Sequence, residues 1–228
     1  MKPYACSETR FLQDAANHVM TVMRDDGVNR HVRFRRPDSS AYWFDLITWP
    51  GTLCIDGDMG TYVFRRLHDM FEFFRTDQEH YNRTGRANQL AINPEYWDEK
   101  LQAPSPRDAM EHSVDSFRQH VKEAFDFWVK CSQPEDEYST EAERNKFNDD
   151  KAALWSALND EVLSVADDGD VRSYDAAREF RCEEAPDFNM HDCWEWNCRE
   201  FKFHFIWCCY AIAWGIKNYD QAKGGAPA

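Results

Sequence analysis

Apolar residues recur with two different periods along this chain, and that change restricts it to folds that keep a sheet and helices in separate stretches. Between residues 31 and 66 the period is near two. His31 to Arg36 alternates, with Val32 and Phe34 on one side and Arg33 and Arg35 on the other. Tyr42 to Thr48, Thr52 to Asp56 and Thr61 to Arg66 are aromatic and β-branched, and they are separated by Pro37-Asp38-Ser39-Ser40, Trp49-Pro50-Gly51 and Gly57-Asp58-Met59-Gly60. Turn clusters at that spacing predict a four-stranded antiparallel meander over about 31–66.

The flanking segments read as helices. Ser7 as N-cap, Phe11, Ala15, Val19 and Val22 at helical spacing, and Gly27 as terminator predict a helix over about 8–25. Leu67, Met70, Phe71 and Phe74 predict a covering helix at about 66–76, and Pro94 starts a short one reaching Leu101. Ala103-Pro104-Ser105-Pro106 is the clearest break. Beyond it the pattern is helical only. Ser105 caps a helix from Pro106 to about Cys131, Thr140 and Glu143 have capping-box spacing ahead of a helix to about Val165, and further helices fall at about 172–181 and 192–220. The expected fold class is α+β, with an α+β lobe at 1–105 and a helical lobe at 106–228.

Charge divides along the same boundary. The 228 residues carry 27 basic and 41 acidic side chains, net -14. Residues 1–105 hold 13 and 15 of these, whereas residues 106–228 hold 14 and 26. An excess of acid disfavours direct binding to a nucleic-acid backbone and favours a cationic partner. The N-terminus, Met1-Lys2-Pro3-Tyr4-Ala5-Cys6, has no apolar secretion segment, which predicts a cytoplasmic protein. Eight cysteines in a chain able to build a core are expected as free thiols, with Cys54, Cys208 and Cys209 buried. The apolar run Phe205–Ile216 falls short of the ~20 residues that span a bilayer and predicts a buried helix.

Motifs with a strong chemical signature are missing: there is no phosphate loop, no Gly-x-Ser-x-Gly elbow and no His-Glu-x-x-His. Cys182, His191, Cys193 and Cys198 have the ligand types for zinc but not its spacing, and Asp56-Gly57-Asp58 reads as a hairpin turn rather than a calcium loop. No metal or cofactor is expected. His112 and His120 read as solvated on a polar helix face. Arg30, Arg33, Arg35 and Arg36, joined by Arg65 and Arg66, form the basic patch, which is expected to pair with the acidic helical lobe. Carboxylates spread along helices can instead imitate duplex phosphates and occupy a protein's DNA channel. The candidate contact residues are Glu135, Asp136, Glu137, Glu141, Asp149, Asp150, Asp160, Asp167 and Asp168.

The stretch Trp43-Phe44-Asp45-Leu46-Ile47-Thr48-Trp49-Pro50-Gly51-Thr52-Leu53-Cys54-Ile55-Asp56-Gly57-Asp58-Met59-Gly60-Thr61-Tyr62-Val63-Phe64-Arg65-Arg66, with Asp69-Met70-Phe71-Glu72-Phe73-Phe74-Arg75 and Trp207-Cys208-Cys209-Tyr210-Ala211-Ile212-Ala213-Trp214, resembles a family of uncharacterised bacteriophage and prophage proteins. The resemblance implies a phage accessory protein in the bacterial cytoplasm. With the acid excess, it suggests an inhibitor of a nucleic-acid-handling defence system, a CRISPR effector or a restriction enzyme. Its partner would be a basic host protein or nucleoprotein complex, with no membrane involved. Two alternatives are a small enzyme acting on a nucleotide or signalling molecule in a cleft between the lobes, and a phage structural or assembly protein. From their own pattern, Trp43, Phe44, Trp49 and Phe64 read as core aromatics.

Overall fold

The computed structural model describes residues 4–104, 106–135 and 138–224 and has the expected α+β class. It divides into two compact units: residues 1–111 with 201–228, and residues 112–200.

The first unit is built on an antiparallel meander in which sequential strands are neighbours: β1 (Val19–Asp26), β2 (Asn29–Arg35), β3 (Phe44–Trp49), β4 (Thr52–Gly57), β5 (Tyr62–Arg65) and β6 (Leu101–Ala103). β2 to β5 are the four expected strands. β1 and β6 are edges that the sequence reading did not separate from helices. The helix expected at 8–25 ends early: α1 (Glu8–Ala15) is capped by Ser7, and Val19 onward pairs with β2, Val22 opposite Val32. Pro50 and Gly51 form the two-residue loop between β3 and β4, and Gly51 at φ 80° takes the left-handed position that such a turn needs.

One sheet face carries Val32, Phe34, Phe44, Leu46, Leu53, Ile55 and Phe64, all buried. α2 (Met70–Arg83) and α7 (Phe203–Ala222) pack on it, and α1 packs on α7. Ring pairs tie the layers together, among them Phe64 with Phe74 at 5.6 Å, Phe74 with Trp97 at 4.7 Å and Phe11 with Trp207 at 5.1 Å. α7 touches both the sheet and other helices, which explains why it is apolar around most of its circumference. At Gly215 its backbone comes so close to β2 and β3 that a Cβ would lie 2.7 Å from Leu46 Cδ1 and 3.1 Å from Phe34 Cε2.

This placement corrects the expected boundary at 105, because α7 belongs with the sheet and not with the helical lobe. Smaller corrections follow the same logic. Leu67 precedes α2 and is exposed, as is Trp49, which alternation points away from the helices. The short helix α3 covers only Pro94–Asp98.

In the second unit α4 (Val114–Ser132), α5 (Glu141–Glu161) and α6 (Asp170–Glu179) enclose Phe117, Val121, Leu154, Leu158, Val162 and Ala177. The helix expected from Pro106 starts instead at Val114, with Ser113 as its cap; Ser105, the expected cap, lies outside the described residues. Ahead of it, Met110–His112 (β7) pairs with Arg199–Phe201 (β8). The capping box is present: Thr140 N donates to Glu143 Oε2 (2.7 Å) and Glu143 N donates to Thr140 Oγ1 (3.3 Å). The helix expected at 192–220 is cut at its start by a 3-10 turn, Cys193–Glu195, and by β8.

All eight cysteines are free thiols. Cys208 and Cys209 are buried as expected, and burial pushes both thiols well up. Cys54 is only half-buried, on the opposite sheet face from α7, with burial pushing it up to about 11. Alkylation of the folded protein is expected to label exposed Cys131 first and to reach Cys208 and Cys209 only after denaturant is added, which peptide mass mapping reads directly. Early modification of either buried thiol would contradict this packing.

Candidate functional site

Nearly the whole charge imbalance lies in the second unit. Residues 112–200 hold 10 basic and 23 acidic side chains, net -13, which leaves net -1 for the first unit. The structure separates the nine candidate carboxylates into groups. Glu135, Glu141, Asp149 and Asp160 are exposed and form no ion pair with another described residue. Asp150 pairs with Lys146 (2.6 Å), Asp167 with Arg118 (2.8 Å) and Asp168 with Arg172 (2.9 Å), so these three are partly neutralised. Asp136 and Glu137 lie outside the described residues.

At about 100° per residue, Glu141, Asp149 and Asp160 fall on the side of α5 opposite buried Leu154 and Leu158. Three unpaired carboxylates over about 28 Å of helix are far sparser than the roughly one charge per 1.7 Å of a DNA duplex. This face therefore resembles a contact surface for scattered Lys and Arg more than a replica of a phosphate backbone.

The arginine patch is not one patch. Arg30 turns to the core side of the sheet, where both its terminal nitrogens donate to Asp69 at 2.8 Å. Arg33, on the other face, donates twice at 2.8 Å to Asp45, its direct cross-strand partner, which also bonds His31 Nε2 at 2.8 Å. Burial works to raise the Asp45 and Asp69 carboxyls, but the hydrogen bonds and charges of these arginines, together with His31 at Asp45 and with Phe71 N and Arg75 at Asp69, hold both below the usual carboxylate range. The expected pairing with the acidic lobe is thus corrected: Arg30 and Arg33 find carboxylates inside their own unit.

The other candidates are placed as follows. Among the described residues no group of three or more His, Cys, Asp or Glu side chains is arranged to hold a metal. Cys193 Sγ donates to the Tyr174 carbonyl (3.6 Å), and His191 Nε2 meets Arg181 (2.9 Å). Asp56 accepts from Thr61 Oγ1 (2.5 Å) and fastens the β4–β5 hairpin, whereas Asp58 accepts from Tyr42 N (2.8 Å) and ties its turn to the segment ahead of β3. His112 is not on a helix: it sits on β7, half-buried against Phe117 and Tyr174, with Nε2 3.4 Å from Ser173 Oγ. His120 stacks on Trp196 at 5.3 Å.

Sequence reading missed a groove between α4 and α5. A hollow of about 490 Å³ is lined by Lys122, Phe125, Asn148, Lys151, Ala152 and Trp155. A second of about 210 Å³, lined by Gln133, Pro134, Arg144, Phe147, Asn148 and Lys151, shares two of those residues. The signal was present as the row Phe147, Lys151, Trp155, spaced four apart on one side of α5.

No described helix is long and apolar enough to cross a membrane. No protein-family model matches the chain, and no curated protein and no solved structure matches it significantly.

Proposed function

We propose that this chain is a phage-encoded inhibitor that binds a basic surface of a host nucleic-acid-handling defence complex through its acidic helical unit and so obstructs nucleic-acid access. The observation that carries this reading is the concentration of net charge -13 in residues 112–200, together with four exposed carboxylates that lack an ion-pair partner among the described residues. Separated charges of one sign steer an oppositely charged partner and raise its association rate more than they raise affinity. The sequence resemblance to phage proteins supports the choice of partner class.

The test compares the natural protein with a variant carrying Glu135→Gln, Glu141→Gln, Asp149→Asn and Asp160→Asn. Each is added to DNA cleavage assays of purified CRISPR effectors and restriction endonucleases at low and high salt. Inhibition by the natural protein is expected to weaken as salt rises, because exposed charges are screened over roughly 8–10 Å. The variant is expected to associate at least about tenfold more slowly, with stability almost unchanged. Inhibition equally strong in the variant, or no inhibition of any effector by the natural protein, overturns the proposal.

A further inference from the structure

We infer that the groove between α4 and α5 is a binding site for a small organic anion with a planar aromatic body, of the nucleoside monophosphate class. The two hollows differ in character and meet at Asn148 and Lys151. The larger has the rings of Phe125 and Trp155, 4.8 Å apart, on its walls. The smaller is polar, with Gln133 and Arg144 beside Asn148. The larger alone falls within the roughly 300–1,000 Å³ of small-molecule sites.

Lys151 marks the anion's place. Five cations of this unit turn to carboxylates: Lys122 to Asp126 (2.5 Å), Lys146 to Asp150 (2.6 Å), Arg178 to Asp175 (2.9 Å), Arg118 to Asp167 (2.8 Å) and Arg172 to Asp168 (2.9 Å). Lys151 follows Asp149 and Asp150 in sequence, yet it forms no ion pair with a described residue, because its neighbours four residues away in both directions are Phe147 and Trp155. Lys151, half-buried, therefore lines both hollows where they meet, with an aromatic residue one turn away on either side. A flat ring fits the aromatic hollow by stacking, and an anionic substituent reaches Lys151 and the amides of Asn148 and Gln133. Asp149 and Asp160 do not oppose such a ligand strongly, since they lie on the opposite side of α5 from Lys151 and are screened over about 8–10 Å.

The site is independent of the acidic contact surface, and its test uses different variants and a different readout. Isothermal titration of the full chain with AMP, GMP, CMP and UMP is expected to show saturable binding of at least one. Adenosine and inorganic phosphate, each lacking half of the recognised chemistry, should bind at least about tenfold more weakly. Lys151→Gln and Trp155→Leu should each weaken nucleotide binding at least about tenfold, while Lys130→Gln, outside the groove, leaves it unchanged. If Trp155→Leu fails to fold, Lys151→Gln on a half-exposed side chain decides the matter. The inference is overturned if no nucleotide binds at about 5 mM, if Lys151→Gln binds like the natural protein, or if inorganic phosphate binds as tightly as any nucleotide.

Discussion

Asp69→Ala is expected to destabilise the protein by about 3–6 kcal/mol in urea denaturation, because one side chain closes a buried ion pair and caps a helix. The side chains of Arg30 and Asp69 are only 10% and 13% exposed. The guanidinium lies 4.7 Å from the Phe71 ring and 5.8 Å from that of Tyr219, and its Nε is buried without a partner. Arginine cannot shed its proton to escape burial, so removing the carboxylate leaves a buried charge without its ion-pair partner. Asp69 also accepts from Phe71 N at 2.9 Å as the N-cap of α2, and losing that cap adds about 1 kcal/mol. Replacing both partners by apolar residues, Arg30→Met with Asp69→Leu, should recover most of the loss, since no unpaired charge remains. A loss below about 1 kcal/mol for Asp69→Ala would place the pair among weak surface contacts. The same carboxylate gives a pH signature. Its pKa is depressed in the folded state, so its contribution is complete above the unfolded value near 4 and is lost as pH falls below it. The Asp69→Ala protein should therefore show a flatter fall in stability below about pH 4 than the natural chain.

The second large effect is expected at Gly215. An alanine Cβ there would sit 2.7 Å from Leu46 Cδ1 and 3.1 Å from Phe34 Cε2, inside ordinary contact distance, and both of those side chains are fully buried. Overpacking of this kind costs about 1–3 kcal/mol, offset by up to about 1 kcal/mol because alanine is the better helix former. Gly215→Ala should thus lose a little, and Gly215→Val, with two further carbons and no gain in propensity over alanine, distinctly more. Trimming the opposing side chain tests the cause. In a Gly215→Ala, Leu46→Ala double mutant the two losses should fall short of additivity by about 0.5–3 kcal/mol. Strict additivity would mean that α7 does not approach the sheet at this point.

The sequence was informative where local chemistry decides structure and silent where distant partners do. The four central strands, the Thr140–Glu143 capping box and the helical pattern of residues 141–161 follow from alternation, turn residues and cap spacing, all visible within a few residues. β1 reads as helix in the sequence because Phe11, Ala15, Val19 and Val22 continue a helical spacing across the end of α1, and an exposed edge strand shows no alternation to contradict it. β6 has only three residues, too few to display a period. No local signal says whether the apolar α7 will cover a sheet or join a bundle. The local acid balance around Arg33 points to distant acid, but strand register sets Asp45 directly opposite it. As for the candidate surfaces, the acidic stretch is legible in the sequence, and so are the i,i+4 pairs Lys146–Asp150 and Asp168–Arg172, but not the distant pairing of Asp167 with Arg118. The groove needs α4 and α5 side by side before its aromatic row means anything.

The position of α7 has a consequence for synthesis. A ribosome delivers β5 about 140 residues before Phe203, and at roughly 5–20 residues per second that interval lasts about 7–28 s. Throughout it Phe34, Phe44 and Leu46 have no α7 to cover them, and the interval is spent largely on residues 112–200, whose own core is complete only as it ends. The acidic unit is thus made while the apolar face of the sheet still lacks α7. Its large negative charge then discourages nascent chains from associating with one another, a service performed before the mature protein exists.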